Sequence, residues 1–327
     1  METSVNKVIR IHRYGGPEVM QWEDAEVGDP GPGEARLRHT AVGLNFVDIY
    51  HRTGQFGAEA LPLVLGVQGV GVVEATGAGV GEIKTGDRVG YVGVRGAYCE
   101  RRLVPADRMV ILPDDVSDVD AAVLLLRGLT AEYLLRRLYR VQPGDTILFH
   151  AAAGGVGLIA CQWAKALGAT VIGTVGSDAK ADIARAHGCD HVIVYTREDF
   201  VARVKEITDG QGVPVVYDSV GRDTFMGSLD CLRPMGMAVN FGTASGQVEP
   251  FPLQRLHHKS LVVTRPTLAT WIAGRGDLDA ACAEVFAVVR DGTVKVEASR
   301  TYPLHAAAQA HHDLESRNTT GGMALIP

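Results

Sequence analysis

The run Thr146-Ile147-Leu148-Phe149-His150-Ala151-Ala152-Ala153-Gly154-Gly155-Val156-Gly157 carries the most chemical information in the sequence. An apolar strand passes through small residues and glycines into an amphipathic helix, Gly155–Leu167, which includes Gln162 and Lys165. Small residues let the main chain approach a diphosphate, and the helix N-terminus offers N–H groups and the positive end of the helix dipole. Against the dinucleotide pattern GxGxxG, Ala152 stands at the first glycine, while Gly154 and Gly157 hold the other two. A bare glycine motif is weak, but here a strand precedes it and a helix follows, as the motif requires. The competing reading is a tight turn that only packs helix on strand.

The next strand, Thr170–Val175, decides which nicotinamide cofactor fits. An NAD-binding unit places Asp or Glu at the end of this strand to accept from the ribose 2′-OH. Val175 occupies that place, followed by Gly176, Ser177 and, nearby, Lys180. A missing carboxylate beside a hydroxyl and an ammonium favours a 2′-phosphate, hence NADPH. Asp178 would repel that phosphate unless it points to solvent, and Lys180 competes with its plain reading as a solvated helix charge.

These residues need a scaffold. The first third is rich in short strand patterns (Val5–His12, Glu34–Val42, Gly69–Ala75, Arg88–Val92, Ala97–Val104) divided by Gly, Pro and Asp turns. A helix is expected after Asn45, since Phe46, Ile49 and Tyr50 recur at helical spacing. Helical patterns cover Ala121–Leu126 and Thr130–Leu138; then strands and helices alternate through His191–Tyr195, Val213–Asp218, Ala238–Phe241 and an edge strand Leu261–Thr264. Such alternation implies a parallel sheet with right-handed crossovers. The tail, with helices Leu278–Arg290 and Ala306–Leu314 and a strand Met323–Ile326, does not extend that series and is expected to return to the first lobe. The predicted fold is α/β: a partly open β-barrel lobe over 1–124, a doubly wound parallel sheet over 125–267, and a return to the first lobe over 268–327.

At 327 residues the chain exceeds what one core usually organises, and 46% hydrophobic with 21% charged residues is ordinary for a globular protein. A net charge of -6 provides no basic footprint for nucleic acid. The first residues lack the apolar stretch of a signal peptide, and no run approaches the ~18 apolar residues of a membrane span. A cytoplasmic protein with no membrane partner is expected. The cysteines (Cys99, Cys161, Cys189, Cys231 and Cys282) are scattered without a CxxC pair, which argues against a disulfide framework or a cysteine zinc site. His257-His258 and His311-His312 lack a ligand pattern and read as surface residues.

Taken together, the run Gly144 to Lys165, Gly15-Gly16-Pro17-Glu18, Gly43-Leu44-Asn45-Phe46-Val47-Asp48, Gly66 to Gly71 and Gly86-Asp87-Arg88-Val89 form a recognisable set. Val216-Tyr217-Asp218-Ser219-Val220-Gly221, Phe241-Gly242, Thr264-Arg265-Pro266 and Leu314-Glu315-Ser316-Arg317 extend it over nearly the whole chain. The set resembles the zinc-independent quinone oxidoreductase and ζ-crystallin branch of the medium-chain dehydrogenase/reductases, most closely its bacterial NADPH:quinone reductases. The resemblance implies a GroES-like lobe, a Rossmann lobe and a homodimer joined through the Rossmann sheets. Beside the Gly154, Gly155, Val156, Gly157 turn and Gly176-Ser177, it implies that Lys180, Tyr195 and Arg317 contact the adenosine phosphate. Thr130, Ser219, Phe241, Gly242, Ala244, Ser245, Thr264, Arg265, Pro266 and Thr267 would line the cofactor, with Asn45 and Tyr50 at its nicotinamide end. Where the zinc enzymes of the superfamily carry Cys and Gly-His-Glu, this sequence has Asn45 and Gly66-Val67-Gln68.

Without a metal, positioning against the nicotinamide would supply most of the catalysis, and a quinone needs little further activation. Asn45 is expected to orient the nicotinamide–substrate region, and Tyr50 to donate a hydrogen bond to a quinone oxygen; simple helix packing is the alternative for Tyr50. An enone or enal reductase acting at an activated C=C is the nearest rival. A non-catalytic cofactor-binding protein or an RNA-binding ζ-crystallin relative stands further off.

Overall fold

The structure, a computed structural model, describes residues 6–56, 60–316 and 319–327. Contacts divide the chain into two compact units. One holds Met1–Leu126, Leu278–Phe286 and Val296–Pro327; the other holds Arg127–Asp277 and Ala287–Lys295.

The first unit begins with β1 (Asn6–Ile11), β2 (Met20–Ala25), β3 (Glu34–Leu44), helix α1 (Phe46–Thr53) and β4 (Leu63–Val64). It continues through β5 (Gln68–Thr76), β6 (Arg88–Val92), β7 (Arg101–Pro105) and β8 (Met109–Ile111). β3 alternates buried with partly exposed residues over its first half and is buried throughout from Ala41 to Leu44. It runs antiparallel to both β5 and β7, in the register Val42↔Gly69 and Arg38↔Arg101. The strand expected over Ala97–Val104 starts only at Arg101; Ala97, Tyr98 and Cys99 are buried, and Cys99 makes a single bridge to Val8.

Helix α2 (Asp118–Glu132) ends in a π-helical stretch, Tyr133–Leu138. The two helical patterns seen in the sequence are therefore one continuous helix. The second unit's parallel sheet follows: β9 (Thr146–Phe149), α3 (Gly155–Ala166), β10 (Thr170–Val175), α4 (Asp178–Ala186), β11 (His191–Val194), α5 (Phe200–Ile207), β12 (Val213–Asp218), α6 (Phe225–Cys231), β13 (Leu232–Asn240), α7 (Gln254–His257) and β14 (Val262–Thr264). The strand order β11-β10-β9-β12-β13-β14 is that of a Rossmann sheet, with β14 at its edge as the sequence suggested. Every residue of β12 is buried, the near-continuous apolar run expected of a strand covered on both faces. Leu148, Ile172, Ile193, Val216, Phe225 and Leu229 share one core there, each side chain worth about 1.5–3 kcal/mol of burial.

After α8 (Leu268–Trp271) and α9 (Arg275–Arg290) come β15 (Ala298–Pro303), α10 (Ala307–Glu315) and β16 (Gly322–Ile326). β16 pairs antiparallel with β3 in the register Ala324↔Gly43, while Ala287–Lys295 and the residues up to Asp277 belong to the second unit. Tyr302, Leu304, Ala307, Ala310 and Leu325 join the core of Ile9, Leu37, Leu44 and Tyr91.

One histidine expectation fails. His257, His258 and His312 are exposed, but His311 is fully buried on α10. Its ring is wanted inside because it hydrogen-bonds Arg52 and Tyr98. All five cysteines are buried free thiols. Among the described residues, no helix is long and apolar enough to cross a membrane.

Candidate active site

In the second unit, β9 leads into the turn before α3. Ala151 adopts a left-handed conformation (φ 54), and Gly154 caps the helix. A Cβ on Gly157 would lie 2.5 Å from the Ala151 carbonyl oxygen and 2.6 Å from that of Ala152. Only glycine lets the helix start this close to the turn, which aims the first helical N–H groups, from Gly155, Val156 and Gly157, out of the helix end. Ala152 in place of the first glycine is accommodated from the neighbouring strand: a Cβ on Gly173 would come within 2.7 Å of the Ala152 methyl.

Beside this turn, β10 ends at buried Val175 with no carboxylate. Ser177 caps α4, its hydroxyl accepting from the Lys180 N–H at 3.4 Å. Tyr195 lies partly exposed with its hydroxyl over Gly176, where a Cβ would stand 2.8 Å away. Gly176, Ser177, Lys180 and Tyr195 thus gather at one end of the sheet. Asp178 is exposed and forms an ion pair with Arg197 at 2.6 Å, and that hydrogen bond holds its carboxyl below the usual range. Sequence reasoning missed Arg197, which offsets the charge that counted against a phosphate here. Arg317 lies outside the described residues.

The remaining expected lining residues sit on the loops after β12, β13 and β14. Ala244 N–H donates to the Ser219 carbonyl at 3.1 Å, and Ser245 donates to Val220 through both its N–H and its hydroxyl, each at 2.8 Å. Gly242 passes so close that a Cβ would meet the Ser219 oxygen at 2.7 Å. Phe241 packs against Phe149 with ring centroids 5.8 Å apart. Thr264 ends β14, Arg265 hydrogen-bonds the Asn240 side-chain oxygen, and Thr267, after Pro266, precedes α8. Thr130 is buried on α2.

Three buried polar residues that sequence reasoning did not single out hold these loops. Asp218 accepts from the N–H groups of Val220 (2.8 Å) and Gly221 (2.9 Å), and from the hydroxyls of Thr224 and Ser228. His150 bonds Thr174 through Nδ1 at 2.9 Å and Ser228 through Nε2 at 3.0 Å; burial lowers its pKa. Asn240 donates to the Gly242 carbonyl at 2.9 Å. Their common signal is visible in retrospect: each ends, or directly follows, an apolar strand.

In the first unit, Asn45 precedes α1, and its N–H donates to Asp48 Oδ2 at 2.8 Å. Its side-chain amide donates to Gln68 Oε1 at 3.1 Å, and Gln68 in turn donates to the Ala122 carbonyl at 2.6 Å. Gly43 makes room, since a Cβ would lie 2.7 Å from Gln68 Oε1. Of the three positions that differ from the zinc enzymes, Asn45 and Gln68 are therefore amides bonded to each other and Val67 has no ligating atom; neutral amides are poor zinc ligands beside thiolate or imidazole. Among the described residues no group of three or more His, Cys, Asp or Glu could hold a metal ion. Tyr50 is buried, with its ring edge-on to Phe56 at 5.5 Å and tilted against Phe46 at 6.3 Å.

A chain that combines an antiparallel sheet unit with a Rossmann sheet carrying this glycine turn has the make-up of a two-domain nucleotide-dependent dehydrogenase or reductase. Comparison with known proteins agrees. Residues 155–286 match the zinc-binding dehydrogenase family and residues 31–114 the alcohol dehydrogenase GroES-like domain. The chain is 49% identical over 323 residues to a quinone oxidoreductase of Pseudomonas aeruginosa, covering 98% of this chain and 99% of that one. It is 45% identical to a 2-haloacrylate reductase of Burkholderia, covering 97% and 98%. The crystal structure of Escherichia coli quinone oxidoreductase complexed with NADPH aligns with a TM-score of 0.96 at 48% identity, covering 98% of this chain and 100% of that one. The chain belongs to the quinone oxidoreductase family of medium-chain dehydrogenase/reductases.

Proposed function

We propose that the protein binds NADPH and reduces a quinone without a metal. The observation that carries this is the nucleotide end of the second unit: a helix start open to a diphosphate at Gly157, next to a strand end with no carboxylate. The residues fit the cofactor. Gly154–Gly157 would face the diphosphate, and Ser177, Lys180, Tyr195 and Arg317 the 2′-phosphate. Ser219, Phe241-Gly242, Ala244-Ser245 and Thr264–Thr267 would line the remainder, with Thr130. When bound, the reduced nicotinamide supplies a hydride. The chain's own part is to orient the acceptor with the Asn45 amide, held by Gln68, and to donate a hydrogen bond from Tyr50 to the acceptor oxygen. The relative described as a quinone oxidoreductase and the one solved with NADPH support the reading.

The 2-haloacrylate reductase relative favours a second reading, hydride delivery to an activated C=C. Turnover of saturating NADPH with a panel of quinones and of enones separates the two. Faster quinone reduction supports the proposal; turnover with enones alone overturns it. The protein is further proposed to act in the cytoplasm as a homodimer joined along β14, whose Val262 and Val263 remain 46% and 37% exposed. Light scattering on the purified protein tests the dimer.

A further inference from the structure

The first unit contains a buried polar chain that no step of the proposed reaction uses. Arg52, only 1% exposed, donates to the Gly15 carbonyl, to His311 Nδ1 at 2.9 Å and to Glu315 at 2.7 Å. Tyr98, fully buried, has its hydroxyl 2.9 Å from His311 Nε2 and 3.0 Å from Asp48 Oδ2. The same Asp48 oxygen accepts the N–H of Asn45.

The direction of every bond follows from the groups. A guanidinium only donates, so His311 Nδ1 must accept and its proton sits on Nε2. Nε2–H then donates to the Tyr98 oxygen, leaving the Tyr98 proton for the Asp48 carboxylate. The chain therefore runs one way, from the Arg52 cation on α1 through α10 and Tyr98 back to the anion at the start of α1. Both ends lie on α1, one helical turn apart, and the closed loop fixes that helix on the tail of the chain. Polar networks sealed from water favour a single geometry, since any broken link strands a buried group.

We infer that His311 and Tyr98 are positioning residues: they hold Asp48, and through it the N-terminus of α1, so that the Asn45 amide is presented at a fixed angle. The consequence for catalysis rests on the proposed role of Asn45. The positioning itself does not.

The test uses the full-length protein with Tyr98→Phe, which removes one hydroxyl and keeps the ring, and with His311→Leu and His311→Gln. A Gln amide can accept from Arg52 and donate to Tyr98, as the imidazole does. Three quantities are read: peptide-level amide exchange over residues 45–53, NADPH affinity, and kcat with a quinone. The expected result is faster exchange over 45–53 and a kcat roughly tenfold lower for Tyr98→Phe and His311→Leu, with NADPH affinity unchanged and Gln restoring both. Wild-type exchange and kcat in Tyr98→Phe overturn the inference, even if His311→Leu fails to fold. So does a Gln variant as impaired as Leu. Asn45→Ala, run alongside, separates the two ideas. If it turns over normally while the Tyr98 variant loosens α1, the role given to Asn45 falls and the positioning stands.

Discussion

Two neutral histidines buried in the first unit make it sensitive to mild acid. Burial, with a smaller contribution from the nearby Arg102 and Arg52 guanidinium groups, lowers the pKa of His39 to about 4 and that of His311 to about 3. His39 faces the Cys99 carbonyl, the Tyr91 hydroxyl and Arg102; His311 faces Arg52 and Tyr98. In the unfolded chain each titrates near 6.5, so below that pH the unfolded state binds more protons and stability falls. Loss begins as pH drops through 6.5 and continues to the folded-state values. Between pH 7 and 5 each site removes about 2 kcal/mol, and the pair about 4 kcal/mol, a large share of a typical domain's stability. Urea unfolding at the two pH values measures this. Replacing Trp163 and Trp271 by Phe leaves Trp22 as the single reporter, in the first unit. His311→Gln should retain about half of the pH dependence. Equal stability at pH 7 and 5, or greater stability at pH 5, refutes the reasoning.

Other outcomes follow from the site. Gly157→Ala places a methyl 2.5 Å from the Ala151 oxygen, and moving the turn should weaken NADPH binding by roughly tenfold or more in a fluorescence titration. Unchanged affinity would mean the turn does not cradle the diphosphate. Arg197→Ala uncovers the Asp178 charge and should weaken NADPH two- to threefold, roughly, at low salt, with NADH unaffected and the effect lost at high salt. Asp178→Ala/Arg197→Ala should recover the wild-type value; no recovery would show that Arg197 acts otherwise. Tyr50→Phe should slow stopped-flow NADPH oxidation by quinone roughly tenfold; an unchanged rate leaves Tyr50 a packing residue.

The parallel sheet was legible because buried strands read as apolar runs between glycine turns: Thr170–Val175 and Val213–Asp218 have the limits their sequences suggest. The glycine turn was legible for a related reason, since Gly157 answers a steric demand that no other residue meets. What stayed hidden depends on partners far along the chain. His311 looked like half of a surface pair because its partners, Arg52 and Tyr98, lie 259 and 213 residues away. Arg197 is likewise joined to Asp178 only by the pairing of β10 with β11. β13 was expected to begin at Ala238 but starts at Leu232, where Arg233, Pro234 and Met235 are exposed and carry no apolar pattern. Gln68 was visible only as a departure from a metal ligand; its grip on the Asn45 amide required the fold.

Isothermal titration of the purified protein with NADPH and with NADH tests the central claim most directly. Tighter association with NADPH is expected, since the end of β10 offers Ser177, Lys180 and Tyr195 where a ribose-binding carboxylate would otherwise stand. No association with either nucleotide would contradict it outright, and tighter binding of NADH would contradict the assignment of that end of the sheet.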